Sequence, residues 1–108
     1  MDKLIIKGGS KISGTVNVHG SKNAALPIIV SSLLSEKTLK LSNVPNVVDV
    51  LNLIKLLKNY GVKIEHKNNK LKINPSKIKN LSADYDVVRK MRASILILGP
   101  LLSRFGEA

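Results

Sequence analysis

Cysteine is absent from the 108-residue chain, which excludes a disulfide framework and any thiolate metal site within it. Tryptophan is also absent, and the three aromatic residues, Tyr60, Tyr85 and Phe105, are scattered. A single-strand nucleic-acid platform needs gathered stacking rings, so the composition speaks against one. Acidic residues are few, 7 against 18 lysines and arginines, leaving a formal charge of +11. No apolar run approaches the roughly 18–20 residues that cross a bilayer. The opening "MDKLIIKGG" lacks the long apolar stretch of a signal peptide. The expectation is a cytoplasmic protein with no membrane partner, no nucleic acid, no cofactor and no metal.

What remains is the make-up of one globular unit, 44% hydrophobic and 23% charged. A positive field attracts anions, among them nucleic acid, acidic lipid and phosphorylated small molecules. Much of the charge is lysine in "KNNKLKINPSKIKN" (67–80), which general Lys/Asn enrichment explains as well as any binding role.

The segments "KLIIKGG" and "GTVNVHG" read as short strands between glycines. Gly20-Ser21 breaks the second, with Ser21 placed as a helix cap. "NAALPIIVSSLL" (23–34) is apolar or small on every face, which predicts a helix buried all round. "TLKLSNV" alternates as a strand over 38–42. Pro45 introduces an amphipathic helix with Val47, Val50, Leu51, Ile54 and Leu57 on its apolar stripe and Gly61 at its end. Strands at 62–66 and 70–74 flank Asn68-Asn69, a hairpin turn. A second apolar helix is expected over 86–104, capped by Asp84 and closed by Gly106.

"KNAALPIIVSSLL" and "RASILILGPLL" both run from a basic residue through small ones into an apolar stretch with proline. Such a repeat needs further copies to cover its helices, so the chain reads as truncated. Lys22 and Arg92 stand at equivalent points of the repeat. A lysine at a helix start is unfavourable by about 0.3–1 kcal/mol, because the free N–H groups there are already positive. An anion held between the lysine and the helix end offsets that cost. Asn23 can bond the same ligand, and Gly20 permits close approach of the backbone.

"GSKNAALPIIVSSLLSEKTLKLSNVPNVVDV", with "YDVVRKMRASILILGPLLSRFG", resembles the N-terminal part of the UDP-N-acetylglucosamine enolpyruvyl transferases, and the likeness runs from Met1 to Ala108. The resemblance implies an α/β fold, the inside-out α/β barrel, with buried helices inside and sheets outside. This chain would be roughly its first repeat and the start of its second. Residues 1–21 would be strands pairing with a C-terminal domain absent from this chain. Residues 22–108 would be part of the first domain. The implied reaction transfers the enolpyruvyl group of phosphoenolpyruvate to the 3-hydroxyl of UDP-N-acetylglucosamine, the first committed step of peptidoglycan precursor synthesis. By the same resemblance Lys22 and Asn23 bind phosphoenolpyruvate, Lys22 acts in catalysis, and Arg92 contacts the sugar nucleotide. No metal or cofactor is implied.

Two departures stand out. The family's proton-donor cysteine is missing, and so is the second domain with its carboxylate, so these 108 residues alone are not expected to catalyse. Some relatives also carry lysines where this chain has Asn46 and Val48. His19 reads as a rim or hinge residue rather than a base, and His66 as surface. Asp84 and Asp86 read as helix-start carboxylates. The rival reading is a small basic module that binds nucleic acid or another anionic partner.

Overall fold

The computed structural model describes residues 1–83 and 85–108. Asn68 and Asn69 take φ of 52° and 58°, the pair of left-handed residues that a tight two-residue hairpin turn requires. They join β2 (Lys63–Lys67) to β3 (Lys70–Asn74), with Lys67 opposite Lys70. β1 (Leu39–Leu41) pairs antiparallel on the other edge of β3, giving the order β1-β3-β2. Because residues opposite one another share a face, the register puts Leu39, Leu41, Ile64, Leu71 and Ile73 on one side. Lys40, Lys63, Glu65, Lys67, Lys70 and Lys72 share the other, exposed side.

The apolar side of the sheet joins one core with two helices. α2 (Val48–Asn59) buries Val50, Leu53, Ile54, Leu56 and Leu57, while Leu51, expected on its apolar stripe, is exposed. Gly61 ends the helix at φ +97, and its N–H and that of Val62 return to the carbonyls of Lys58 and Leu57. An added Cβ there would lie 2.9 Å from the Lys77 carbonyl oxygen, so glycine is required twice over. α1 (Lys22–Ser31) continues into a 3-10 turn at Ser32–Leu34 and buries Ala25, Leu26, Ile29, Val30 and Leu33. Within this chain its burial is one-sided: Ile28 and Leu34 face outward.

The second apolar helix is not continuous. α3 (Tyr85–Val88) is a single turn, Met91 is extended at φ −145 and ψ 115, a 3-10 segment covers Arg92–Ile97, and α4 (Leu98–Phe105) follows. Val87, Met91, Ile97 and Leu101 enter the core from these pieces. At helical spacing those four fall on one stripe whether or not the helix breaks, so the pattern held no signal of the break. The break is stabilised at the Val88 carbonyl, which accepts from the Met91 N–H at 3.1 Å and the Ser94 hydroxyl at 3.5 Å. Gly106 closes α4 in the left-handed region at φ +75, as expected. The expected cap, Asp84, lies outside the described residues.

Arg104 fastens α4 to the rest. Its Nη1 donates to the carbonyls of Leu33 at 3.1 Å, Ser35 at 3.3 Å and Pro75 at 3.0 Å, while Nη2 lies 3.7 Å from Glu36. One guanidinium thus joins the end of the α1 unit, the end of β3 and α4.

Residues 1–21, read as strands, make no strand among the described residues. Leu4, Ile5, Ile6, Ile12, Val16 and Val18 are exposed. A strand needs a neighbour to receive its N–H and C=O groups, and this chain places none beside the segment. The radius of gyration is 17.6 Å, against about 13 Å for a compact chain of this length.

Candidate functional site

The approach to α1 is fixed by Asn43, which follows β1 in the left-handed region at φ 56. Asparagine tolerates that conformation better than most residues. Its Oδ1 accepts from the Gly20 N–H at 3.0 Å, and its Nδ2 donates to the Val18 carbonyl at 3.2 Å. The next residue, Val44, donates its N–H to the Asn69 carbonyl at 2.8 Å, tying this corner to the hairpin turn. A Cβ on Gly20 would overlap the Asn43 carbonyl oxygen, so the neighbouring backbone requires glycine there. His19 is exposed between the two Asn43 bonds.

Ser21 then turns the chain at φ −82 and ψ 136, and α1 begins on Lys22. Ser21 occupies the cap position, but its side chain makes no cap bond, contrary to expectation. The first intrahelical bond runs from the Ala25 N–H to the Ser21 carbonyl at 2.9 Å, so the N–H groups of Lys22, Asn23 and Ala24 have no partner within the helix. Pro27 supplies no N–H to the Asn23 carbonyl, so that carbonyl lacks its usual helical donor. Lys22 and Asn23 are both exposed there.

The lysine is not alone. Its Nζ lies 2.7 Å from Asp49 Oδ2, with the two side chains 48% and 36% exposed. Asp49 belongs to the first turn of α2, where a carboxylate is stabilised by the helix end, and α1 packs against α2. This carboxylate offsets the cost of a cation at the start of α1, and sequence reasoning missed it. Nothing local connects positions 22 and 49; the only hint is an acid in the first turn of an amphipathic helix.

Arg92 opens the 3-10 segment that also packs against α1. It is exposed and, among the described residues, has no ion pair or side-chain hydrogen bond. The fold therefore brings the elements bearing Lys22, Asn23, Asp49 and Arg92 together, with α1 in contact with both others. Asn46 and Val48 are exposed just before Asp49. Elsewhere Asp86 pairs with Arg89 at 3.3 Å, a helix-spaced structural pair, and His66 is half-buried on the hairpin. Among the described residues no group of His, Asp and Glu is placed to hold a metal, and no helix is long and apolar enough to cross a membrane.

A concavity lies on the sheet, lined by Lys40, Lys67, Lys70 and Lys72 with Glu65, and does not include Lys22, Asn23 or Arg92. Lysines do gather on that face, but no aromatic ring joins them: Tyr60 is buried at the C-terminal end of α2, and Tyr85 and Phe105 lie on α3 and α4. Half the signature of a nucleic-acid surface is missing.

The arrangement of antiparallel sheet outside and apolar helices beneath is that of the enolpyruvyl transferases. The crystal structure of the enolpyruvyl transferase NikO from Streptomyces tendae shares this fold at a TM-score of 0.77 and 21% identity, over 92% of this chain and 23% of that one. The profile of the EPSP synthase (3-phosphoshikimate 1-carboxyvinyltransferase) family matches residues 6–108, and the chain belongs to that family. Within it, the UDP-N-acetylglucosamine 1-carboxyvinyltransferase of Campylobacter hominis is 56% identical over 108 residues, 99% of this chain and 26% of the relative. Those of Sulfurovum sp. and Geotalea uraniireducens are 53% and 50% identical, over 99% and 100% of this chain. The chain spans about a quarter of the length of these curated relatives, 26%, 25% and 26%.

Proposed function

We propose that this chain supplies the first quarter of a UDP-N-acetylglucosamine 1-carboxyvinyltransferase and carries part of its anion-binding cleft. The observation that carries the reading is the start of α1. Lys22 and Asn23 are exposed together with backbone N–H groups that have no partner within the helix, and Arg92 stands on a neighbouring element with no counter-charge among the described residues. Both substrates are multiply charged anions, and fixed cations beside free amides suit them.

In the reaction the sugar 3-hydroxyl gives up its proton to a base and its oxygen bonds to C2 of phosphoenolpyruvate, while the C2–C3 π electrons take up a proton at C3. The tetrahedral adduct then expels phosphate and loses a C3 proton, restoring the double bond. In this reading the Lys22 ammonium and the Asn23 amide hold the phosphoenolpyruvate anion and meet the charge that grows as phosphate leaves. Arg92 holds the sugar nucleotide. Residues 1–108 contain no cysteine, so a thiol proton donor comes from elsewhere in the enzyme. Residues 1–21 find their strand partners in its C-terminal domain, and residues 22–108 belong to its first domain. The exposed Ile28, Ile95, Leu96 and Leu102 are covered by further repeats, in a cytoplasmic enzyme that needs no metal or cofactor.

The test is Lys22→Ala in the protein expressed from its full reading frame. Phosphate release from phosphoenolpyruvate that depends on UDP-N-acetylglucosamine should fall by about two orders of magnitude or more, as expected for a lost transition-state contact. Parental kinetics in that variant would remove the basis of the reading.

A further inference from the structure

Beyond the residues that meet substrate, the structure assigns Asp49 as the positioning residue of Lys22; the assignment rests on the anion-site reading of α1. The ammonium ends a long flexible stem, and three rotatable donors give it no preferred direction of their own. At 2.7 Å the Asp49 carboxylate fixes where it sits. It can do so because Asp49 is itself held: it lies in the first turn of a twelve-residue helix whose neighbours Val50, Leu53 and Ile54 are buried. Lys22, by contrast, stands at the first residue of α1, where the helix end repels it. A carboxylate from the neighbouring helix is the one counter-charge that holds Lys22 among the described residues.

The contact is half exposed on both sides, which marks it as a weak contributor to stability. Its geometry matters more than its strength. One ammonium carries three N–H bonds, so a hydrogen bond to Asp49 leaves two for an incoming anion. The pair also keeps the empty site from carrying an uncompensated cation beside free amides. Asp49 should therefore affect the step in which charge develops more than it affects binding of the ground-state anion, which its own charge opposes.

The experiment uses Asp49→Asn, Asp49→Glu and Lys22→Ala in the protein expressed from its full reading frame, with phosphoenolpyruvate and UDP-N-acetylglucosamine as substrates. Asp49→Asn should lower kcat about tenfold or more, with KM for phosphoenolpyruvate within about threefold of the parent, the mark of an interaction realised in the transition state. Asp49→Glu, which keeps the charge on a longer stem, should recover a substantial part of kcat. The melting temperature should barely move in either. If Asp49→Asn keeps kcat within twofold of the parent while Lys22→Ala abolishes turnover, the positioning role is wrong. A lowered KM with unchanged kcat would also overturn it, since Asp49 would then be only a competing anion. If Lys22→Ala itself behaves like the parent, the anion-site reading fails first.

Discussion

Replacing Arg104 by methionine tests how the Arg92-bearing segment is held to α1. The substitution keeps an unbranched stem of similar reach and removes the guanidinium. Three carbonyls, of Leu33, Ser35 and Pro75, converge on Nη1 at 3.0–3.3 Å. One Nη1 carries two hydrogens, so three acceptors amount to about two full bonds. Hydrogen bonds to a charged donor contribute about 1.5–3 kcal/mol each, but the Ser35 bond is exposed. The Arg104 side chain itself is only 12% exposed, so little of the remainder is lost to water. The stack on Phe105, 4.9 Å from its ring centroid, adds about 0.5–1 kcal/mol. Arg104→Met should thus cost about 3 kcal/mol. Arg104→Lys, with a single ammonium and no fork, should cost about half as much. Glu36, 3.7 Å away and 80% exposed, should matter little: Glu36→Gln is expected within about 0.5 kcal/mol of the parent. Urea unfolding followed by circular dichroism measures all three. An Arg104→Met variant as stable as the parent, or a Glu36→Gln variant as damaged as Arg104→Met, would refute the assignment of stability to the carbonyl bonds.

Ser32 is 5% exposed and its hydroxyl has no hydrogen-bond partner among the described residues, so Ser32→Ala should raise stability by about 1 kcal/mol, read from the same unfolding curves. Burial lifts the Tyr60 phenol above its ordinary 10.0. The unfolded chain therefore gives up its proton first as pH rises, and the stability tied to that phenol is fully present below about pH 10 and lost above it. The difference in stability between the parent and Tyr60→Phe should be flat from pH 7 to 9 and change only above pH 10.

Much of the frame is dictated by local chemistry. The Asn68-Asn69 turn, the alternation on either side of it, the period of α2 and the stop at Gly61 are each set by residues within a few positions of one another, which is why they can be read from order alone. The family is legible for a related reason, since "SKNAALP" and "MRAS" keep their neighbours in sequence. Other features depend on contacts across distance. A period of 3.6 places Val87, Met91, Ile97 and Leu101 on one stripe with or without a break, so tertiary packing decided that α3 and α4 are separate. Alternation in residues 1–21 marks strand propensity, yet a strand exists only where a second backbone receives its hydrogen bonds. Lys22 shows the division most plainly. The sequence by itself put a cation where a helix start repels it, and so pointed to an anion. Only the packing of α1 on α2 disclosed that the nearest anion is the carboxylate of Asp49, because charges interact through space and are indifferent to the 26 residues of chain between them.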